Sequence, residues 1–391
     1  MLKRISIIQL FFYWVVIFNL VFPKGGIKIG DIPITIGIVS LLTLLLLGSI
    51  SSILHFSLHK IKSSRISILL SWIPFQIWML IVIKENGYEN LGFTFSLFLN
   101  FLILPWGMLF FNGKNFDDIV NVDKLLKVIK YGIWFLIIFG LINHGYKIIT
   151  DNYIEVPLLT VNYDDAGKIY DKNNGRGILG KLVSTYQNGN LFGISMLMFL
   201  PLFCYIEKKR WKQILFEFTL FLTLSRTIWL GILFYEIISN VGKKIYAKKV
   251  LYLLVVLFIF SFGVVYIIEY LGLDAEFLLD ASLGGRVSTL GDITYEIIPL
   301  GAFVTITEIV YKGVLDSFGI VGLILFLIGF FSPLYVYCGK IKNSLQHNLY
   351  LGLIMYSFIC LGDGAILLIP VMVLYWGIVL FLTSISVEKG C

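Results

Sequence analysis

The chain of 391 residues is 58% hydrophobic and 14% charged, and its mean hydropathy of +0.89 excludes a soluble globular domain of ordinary composition. A formal net charge of +7 would suit nucleic acid in a soluble protein. Here, however, the basic residues sit in short segments between apolar runs, as in cytoplasmic membrane loops, so no nucleic-acid partner is expected. Composition therefore predicts an all-α, polytopic integral membrane protein.

Apolar runs of about 20 residues mark membrane spans. They are expected near 5–22, 31–53, 66–83, 91–111, 128–149, 186–206, 213–225, 227–242, 250–270, 313–337, 348–361 and 365–385. Met1-Leu2-Lys3-Arg4 before the first run has no small-x-small cleavage site after it and is read as the start of an uncleaved span. About twelve helices in a single transmembrane domain, 1–391, place both termini in the cytoplasm. Charge supports that orientation, because most of the 31 Lys and Arg fall in segments it makes cytoplasmic, such as Lys208-Lys209-Arg210 and Lys243-Lys244. The pair 213–225 and 227–242 is short for a bilayer and could form a re-entrant hairpin, with Arg226 on the outer side in either case.

Two external segments are too long for simple turns, about 150–185 and 271–312, and long loops that carry charge are often functional. The first contains Gly175-Arg176-Gly177; the second contains Gly284-Gly285-Arg286, Asp292, Glu296 and Glu308. Its irregular alternation from Ile297 to Val310 suits a helix lying at the interface.

Arg176, Arg226 and Arg286 are the only arginines this topology leaves outside, each beside glycine or a small hydroxyl residue. Arginine presents a planar fork of donors that matches phosphate and stays charged. Three converging forks would suit a pyrophosphate, while each alone could pair with an acid or a lipid headgroup. Arg226 lies between apolar runs in Thr223-Leu224-Ser225-Arg226-Thr227-Ile228-Trp229, and an arginine so close to hydrocarbon, at a cost of roughly 3 kcal/mol or more, usually faces water, a partner or an anion. Glu308, close to the next span, is the external acid best placed as a general base, or else a salt-bridge partner of Arg286. Asp292, Glu296, Asp164 and Asp165 are weaker candidates, and Asp316 and Asp363 read as acids that cap or pair at outer helix ends. The four histidines and four cysteines form no metal-ligand or disulfide pattern, and there is no phosphate loop, dinucleotide fingerprint or serine elbow. No metal and no cofactor is expected.

Four pieces between Gly175 and Gly322 resemble the bacterial O-antigen polymerase and O-antigen ligase superfamily of integral membrane glycosyltransferases. These are Gly175-Arg176-Gly177 with Tyr186-Gln187-Asn188-Gly189-Asn190; Leu222 to Gly231 with its Ser225-Arg226 pair; Gly284-Gly285-Arg286; and Glu308 and Tyr311 followed by Asp316 to Leu323. The resemblance implies a fold of many membrane helices, an active site on the outer face, and arginines that hold a lipid pyrophosphate, here Arg176, Arg226 and Arg286. Ligases of the family carry a histidine in the late loop, where this chain has Thr305-Ile306-Thr307-Glu308, so the polymerase branch is the better match.

The expected activity is polymerisation of O-antigen or another surface polysaccharide in the bacterial inner membrane. A growing glycan on undecaprenyl pyrophosphate would be transferred onto a lipid-linked repeat unit. Arg226 and Arg286 would stabilise the departing pyrophosphate, with Glu308 as base. Arg176, Asn188, Glu296, Asp292 and Tyr311 would bind substrate. Expected partners are the undecaprenyl-pyrophosphate-linked oligosaccharide, membrane lipid and a polysaccharide chain-length regulator. The alternatives are a lipid-linked oligosaccharide flippase, an O-antigen ligase and a small-molecule permease.

Overall fold

The computed structural model describes residues 7–54, 62–87, 91–111, 120–169, 174–175, 180–240, 296–297, 306 and 308–385. Its first helix, α1, covers Ile7–Leu20. A two-residue turn then joins the antiparallel strands β1, Gly26–Ile29, and β2, Ile32–Thr35, which lead into α2, Ile36–Leu54. Three further long helices follow: α3, Ser63–Asn86; α4, Leu91–Phe110, with a π-helical stretch at Phe98–Ile103; and α5, Val122–Thr150. Then come α6, Gly189–Ile206, α7, Arg210–Phe221, and α8, Arg226–Asn240. The C-terminal part comprises α9, Val310–Phe330, α10, Ser332–Tyr337, α11, Ser344–Ile359, and α12, Ile369–Ser384.

The all-α expectation holds, with one small hairpin added. Among the described residues six stretches are long and apolar enough to cross a membrane: Ile36–Ile53, Ser63–Asn86, Leu91–Phe110, Val122–Thr150, Gly189–Ile206 and Val310–Tyr337. Ile7–Leu20 and Ile369–Ser384 are apolar but shorter. Of the expected pair 213–225 and 227–242, α7 has 12 residues and at 1.5 Å per residue extends only about 18 Å, less than a hydrocarbon core of about 30 Å; α8 is described as far as Asn240. The expected span at 250–270, and the interfacial helix expected up to Val310 apart from Ile297, Ile306, Glu308 and Ile309, lie outside the described residues; α9 begins at Val310 itself.

Lipid is as apolar as a leucine side chain, so close packing and satisfied polar groups hold such a bundle together rather than water exclusion. Its centre is aromatic. Trp72 of α3 is fully buried, stacks on Phe101 of α4 at 5.8 Å and meets Phe326 of α9 and Trp376 of α12 edge-on or tilted. α6 and α8 approach until Gly193 lies under Ile228 and Gly231 under Leu197; a Cβ at either glycine would stand 2.5 Å from the opposing side chain.

α9 is two arms rather than one rod. Gly319 has φ 69° and ψ −178°, and the first arm doubles back so that the Tyr311 ring packs against Phe326, Phe330 and Phe331. The backbone of Glu296 and Ile297 sits where a Cβ of residue 319 would be.

At one end of the bundle Arg65, 1% exposed, joins three helices. Its Nε donates to Thr383 Oγ1 at 3.0 Å, its Nη1 to the carbonyls of Met108 and Phe111, and its Nη2 to Ser384 Oγ. Lys62 Nζ donates to the Ser384 carbonyl at 2.9 Å. The carbonyls that a helix leaves unpaired at its C-terminus are thus taken up by a neighbour's guanidinium.

Candidate functional site

The candidate site lies at the opposite end of α12, where four chain segments meet. Lys24 follows α1, Asn188 and Asn190 open α6, Glu308 precedes α9, and Asp363 to Leu368 join α11 to α12. Together they line a cleft of about 390 Å3, walled otherwise by Leu191 and Ile306.

Each segment is fixed locally. Asn188 is the N-cap of α6, its side-chain oxygen accepting from Asn190 N at 2.8 Å, which meets one of the orphan donors of a helix start. The turn after α11 is tied to the start of α9: Val310 N donates to the Cys360 carbonyl at 3.2 Å and Gly364 N to the Glu308 carbonyl at 3.1 Å. Tyr356 OH adds a bond to the Gly364 carbonyl at 2.8 Å. Between α7 and α8 the chain turns through Leu224, the Phe221 and Trp229 rings stack at 4.6 Å, and Trp229 Nε1 donates to the Phe221 carbonyl at 2.9 Å. Leu182 N donates to the Leu222 carbonyl at 2.9 Å, joining this turn to the segment before α6.

Backbone strain concentrates here. Six non-glycine residues among those described have positive φ; of these, Gln187 (60°) precedes Asn188, Leu224 (49°) precedes the Ser225-Arg226 pair, and Ala365 (45°) lines the cleft two residues after Asp363. Left-handed φ costs a side-chain-bearing residue about 1–3 kcal/mol, and such residues gather at functional sites.

The polar groups form a connected set. Asn190 Nδ2 donates to Asp363 Oδ2 at 3.0 Å, and Lys181 Nζ donates to Asn190 Oδ1 at 3.2 Å. Lys181 is 3% and Asp363 4% exposed, whereas Glu308 is exposed at the rim. Lys181 is held in turn by the 151–188 segment, whose Asn174 side chain bonds the Ile169 and Gln187 carbonyls at 2.7 Å. Ser184 ties this segment to α5 at Leu136 and Asn143, and Gly180 lies against the Lys147 side chain near the end of the same helix.

Arg226 does not line the cleft but stands beside it. It is the first residue of α8, half-buried, and its neighbour Thr227 abuts Gly362, where a Cβ would be 3.2 Å from the threonine side chain. A cation at a helix N-terminus opposes the macrodipole by about 0.3–1 kcal/mol. Its placement therefore suits a site at which negative charge arrives.

Of the residues expected from sequence, Asn188 and Glu308 line the cleft and Arg226 borders it. Tyr311 faces the bundle: its hydroxyl donates to the Ser357 carbonyl at 2.7 Å, and its ring stacks on Phe331. Glu296 lies at the α9 kink, its carbonyl accepting from Ile320 N at 3.0 Å, with an exposed side chain. Arg176, Arg286 and Asp292 lie outside the described residues. Among the described residues no group of three or more His, Cys, Asp or Glu is arranged to hold a metal ion.

Sequence reading missed Lys24 and Lys181, noted Asn190 only within a motif, and took Asp363 for an acid that caps or pairs at a helix end. Lys24 did carry a signal, as a lysine directly after the first span on the face that the charge bias leaves poor in cations. No protein-family model, curated protein or solved structure matches the chain.

Proposed function

We propose that the protein is an O-antigen or surface polysaccharide polymerase, an integral membrane glycosyltransferase that moves a growing glycan from undecaprenyl pyrophosphate onto a lipid-linked repeat unit. In this reading the chain crosses the bacterial inner membrane about twelve times with both termini cytoplasmic. The cleft opens to the external face between two large external loops. A chain-length regulator is the expected protein partner.

The observation that carries the proposal is convergence. Two of the four sequence pieces that resemble the family, at 186–190 and 308–323, contribute Asn188, Asn190 and Glu308 to one polar cleft, and a third, at 222–231, abuts Gly362 next to it through Thr227. Such a site needs positive charge for the departing pyrophosphate and a carboxylate for the attacking hydroxyl. Arg226 would meet the first need by fixed electrostatics, and Glu308 and Asp363 are the carboxylates available for the second. The leaving group is already activated, so the transfer draws on no nucleotide.

The test is a gel of surface polysaccharide from cells lacking the chain and from the same cells complemented with it. A ladder that collapses to a single repeat unit and returns on complementation supports polymerisation. Full-length polymer stranded on its lipid carrier would mean a ligase, and lipid-linked units retained on the cytoplasmic face would mean a flippase.

A further inference from the structure

We propose that Asp363, rather than Glu308, receives the proton of the attacking hydroxyl, and that Asn190 and Lys181 are its positioning residues. The inference rests on the transferase reading above.

A general base must be held at hydrogen-bond distance from the proton it takes, and misplacement by 1 Å can cost about 100-fold in rate. Glu308 has a fixed backbone but an exposed side chain. Asp363 is buried in the cleft wall, and one of its oxygens is fixed by Asn190. The Asn190 amide is itself oriented, because its oxygen accepts from Lys181. Beneath Asp363 the peptide is pinned by Tyr356 and by the α9 start. The middle of the Asp363–Asn190–Lys181 chain therefore rests on the first turn of α6 and its Lys181 end on the Asn174 carbonyl, the rigid support a reacting group needs.

The step balances without a co-reactant. The acceptor oxygen forms a bond to the anomeric carbon as that carbon's bond to pyrophosphate oxygen breaks. The acceptor's proton passes to the Asp363 carboxylate, and the lipid pyrophosphate leaves with the bonding pair.

The experiment uses membranes from complemented deletion cells, supplied with lipid-linked repeat units extracted from the deletion strain, and records initial polymer formation against pH. Asp363→Asn should lower the rate about 100-fold or more at unchanged protein level, and Asp363→Glu should restore part of it. Asn190→Ala should retain measurable activity but displace the acidic limb of the pH profile. Glu308→Gln should slow the reaction and leave that limb in place. If Asp363→Asn stays within about threefold of wild type, or if the limb vanishes in Glu308→Gln instead, Asp363 is not the base while polymerisation itself stands. Should Asp363→Asn fail to accumulate, an unmoved limb in Asn190→Ala overturns the proposal. Wild-type membranes that form no polymer from the extracted units would overturn the transferase reading instead.

Discussion

The two ends of α12 handle charge in opposite ways. At the Ser384 end, Arg65 is sealed from solvent and its fork is spent on carbonyls and hydroxyls of α4 and α12. At the Ile369 end, lysines, asparagines and carboxylates surround a cleft, and Arg226 stands half-buried beside it. One end uses a guanidinium to close the gap between helix termini, and the other leaves such a gap open. Partners account for the difference. Both arginines lie in the first turn of their own helix, but Arg65 reaches across to carbonyls at the C-terminus of α4 and hydroxyls at the end of α12, where positive charge is welcome, whereas Arg226 stands beside the cleft.

The comparison breaks most severely at the closed end. Arg65→Ala removes the donors that Arg65 gives to buried acceptors of two helices, and we expect a loss on the order of 1–3 kcal/mol for each acceptor left unsatisfied, read as a collapse of the melting temperature in detergent; a variant that melts like wild type would show the contact to be incidental. Arg226→Ala should do the reverse, lowering polymer formation about 100-fold, near 3 kcal/mol in barrier, with the melting temperature unchanged. An intermediate effect is expected at Gly319, whose φ of 69° and contact with Ile297 make Gly319→Ala unfavourable by roughly 1–3 kcal/mol in melting experiments.

The mildest test concerns Glu207, in the short link between α6 and α7. It receives Lys130 at 3.0 Å and Lys212 at 3.4 Å. Burial pushes its carboxyl up, but the hydrogen bond from Lys130, the Lys209 backbone amide and the two lysine charges outweigh it and bring it down to about 2 from 4.5. Because the folded value is the lower one, this contribution is complete above pH 4.5 and is lost as pH falls toward 2. For an interfacial cluster it is worth about 1 kcal/mol. Melting curves of Glu207→Gln and wild type should differ at neutral pH and converge on acidification; curves that stay parallel would dissociate the acid sensitivity from Glu207.

Helical class was legible because lipid imposes a run of apolar residues that no turn interrupts, and α3, α4 and α5 lie where those runs lie. Helix length was less legible. Hydropathy continues from Phe221 through Leu224, where a left-handed residue ends α7, and it is blind to Gly319, where glycine folds α9 back on itself. Arg226 could be found because an arginine between apolar runs requires an explanation. Asp363 could not, since an acid after a helix has an adequate local account as a cap, and its connection to Asn190 spans 173 positions in the sequence. Tyr311 shows the opposite failure. Its motif neighbours lie at the cleft, but the helix turns its hydroxyl toward Ser357.

The Arg65 contacts also set an order of synthesis. Thr383 and Ser384 follow Arg65 by 318 and 319 residues, so the arginine enters the membrane long before these acceptors exist. Until α12 is in place, Arg65 must borrow water or headgroups at the bilayer edge, as arginines near helix ends do. A chain without α12 leaves Arg65 short of its Thr383 and Ser384 partners. A helix made late in synthesis therefore closes one made early.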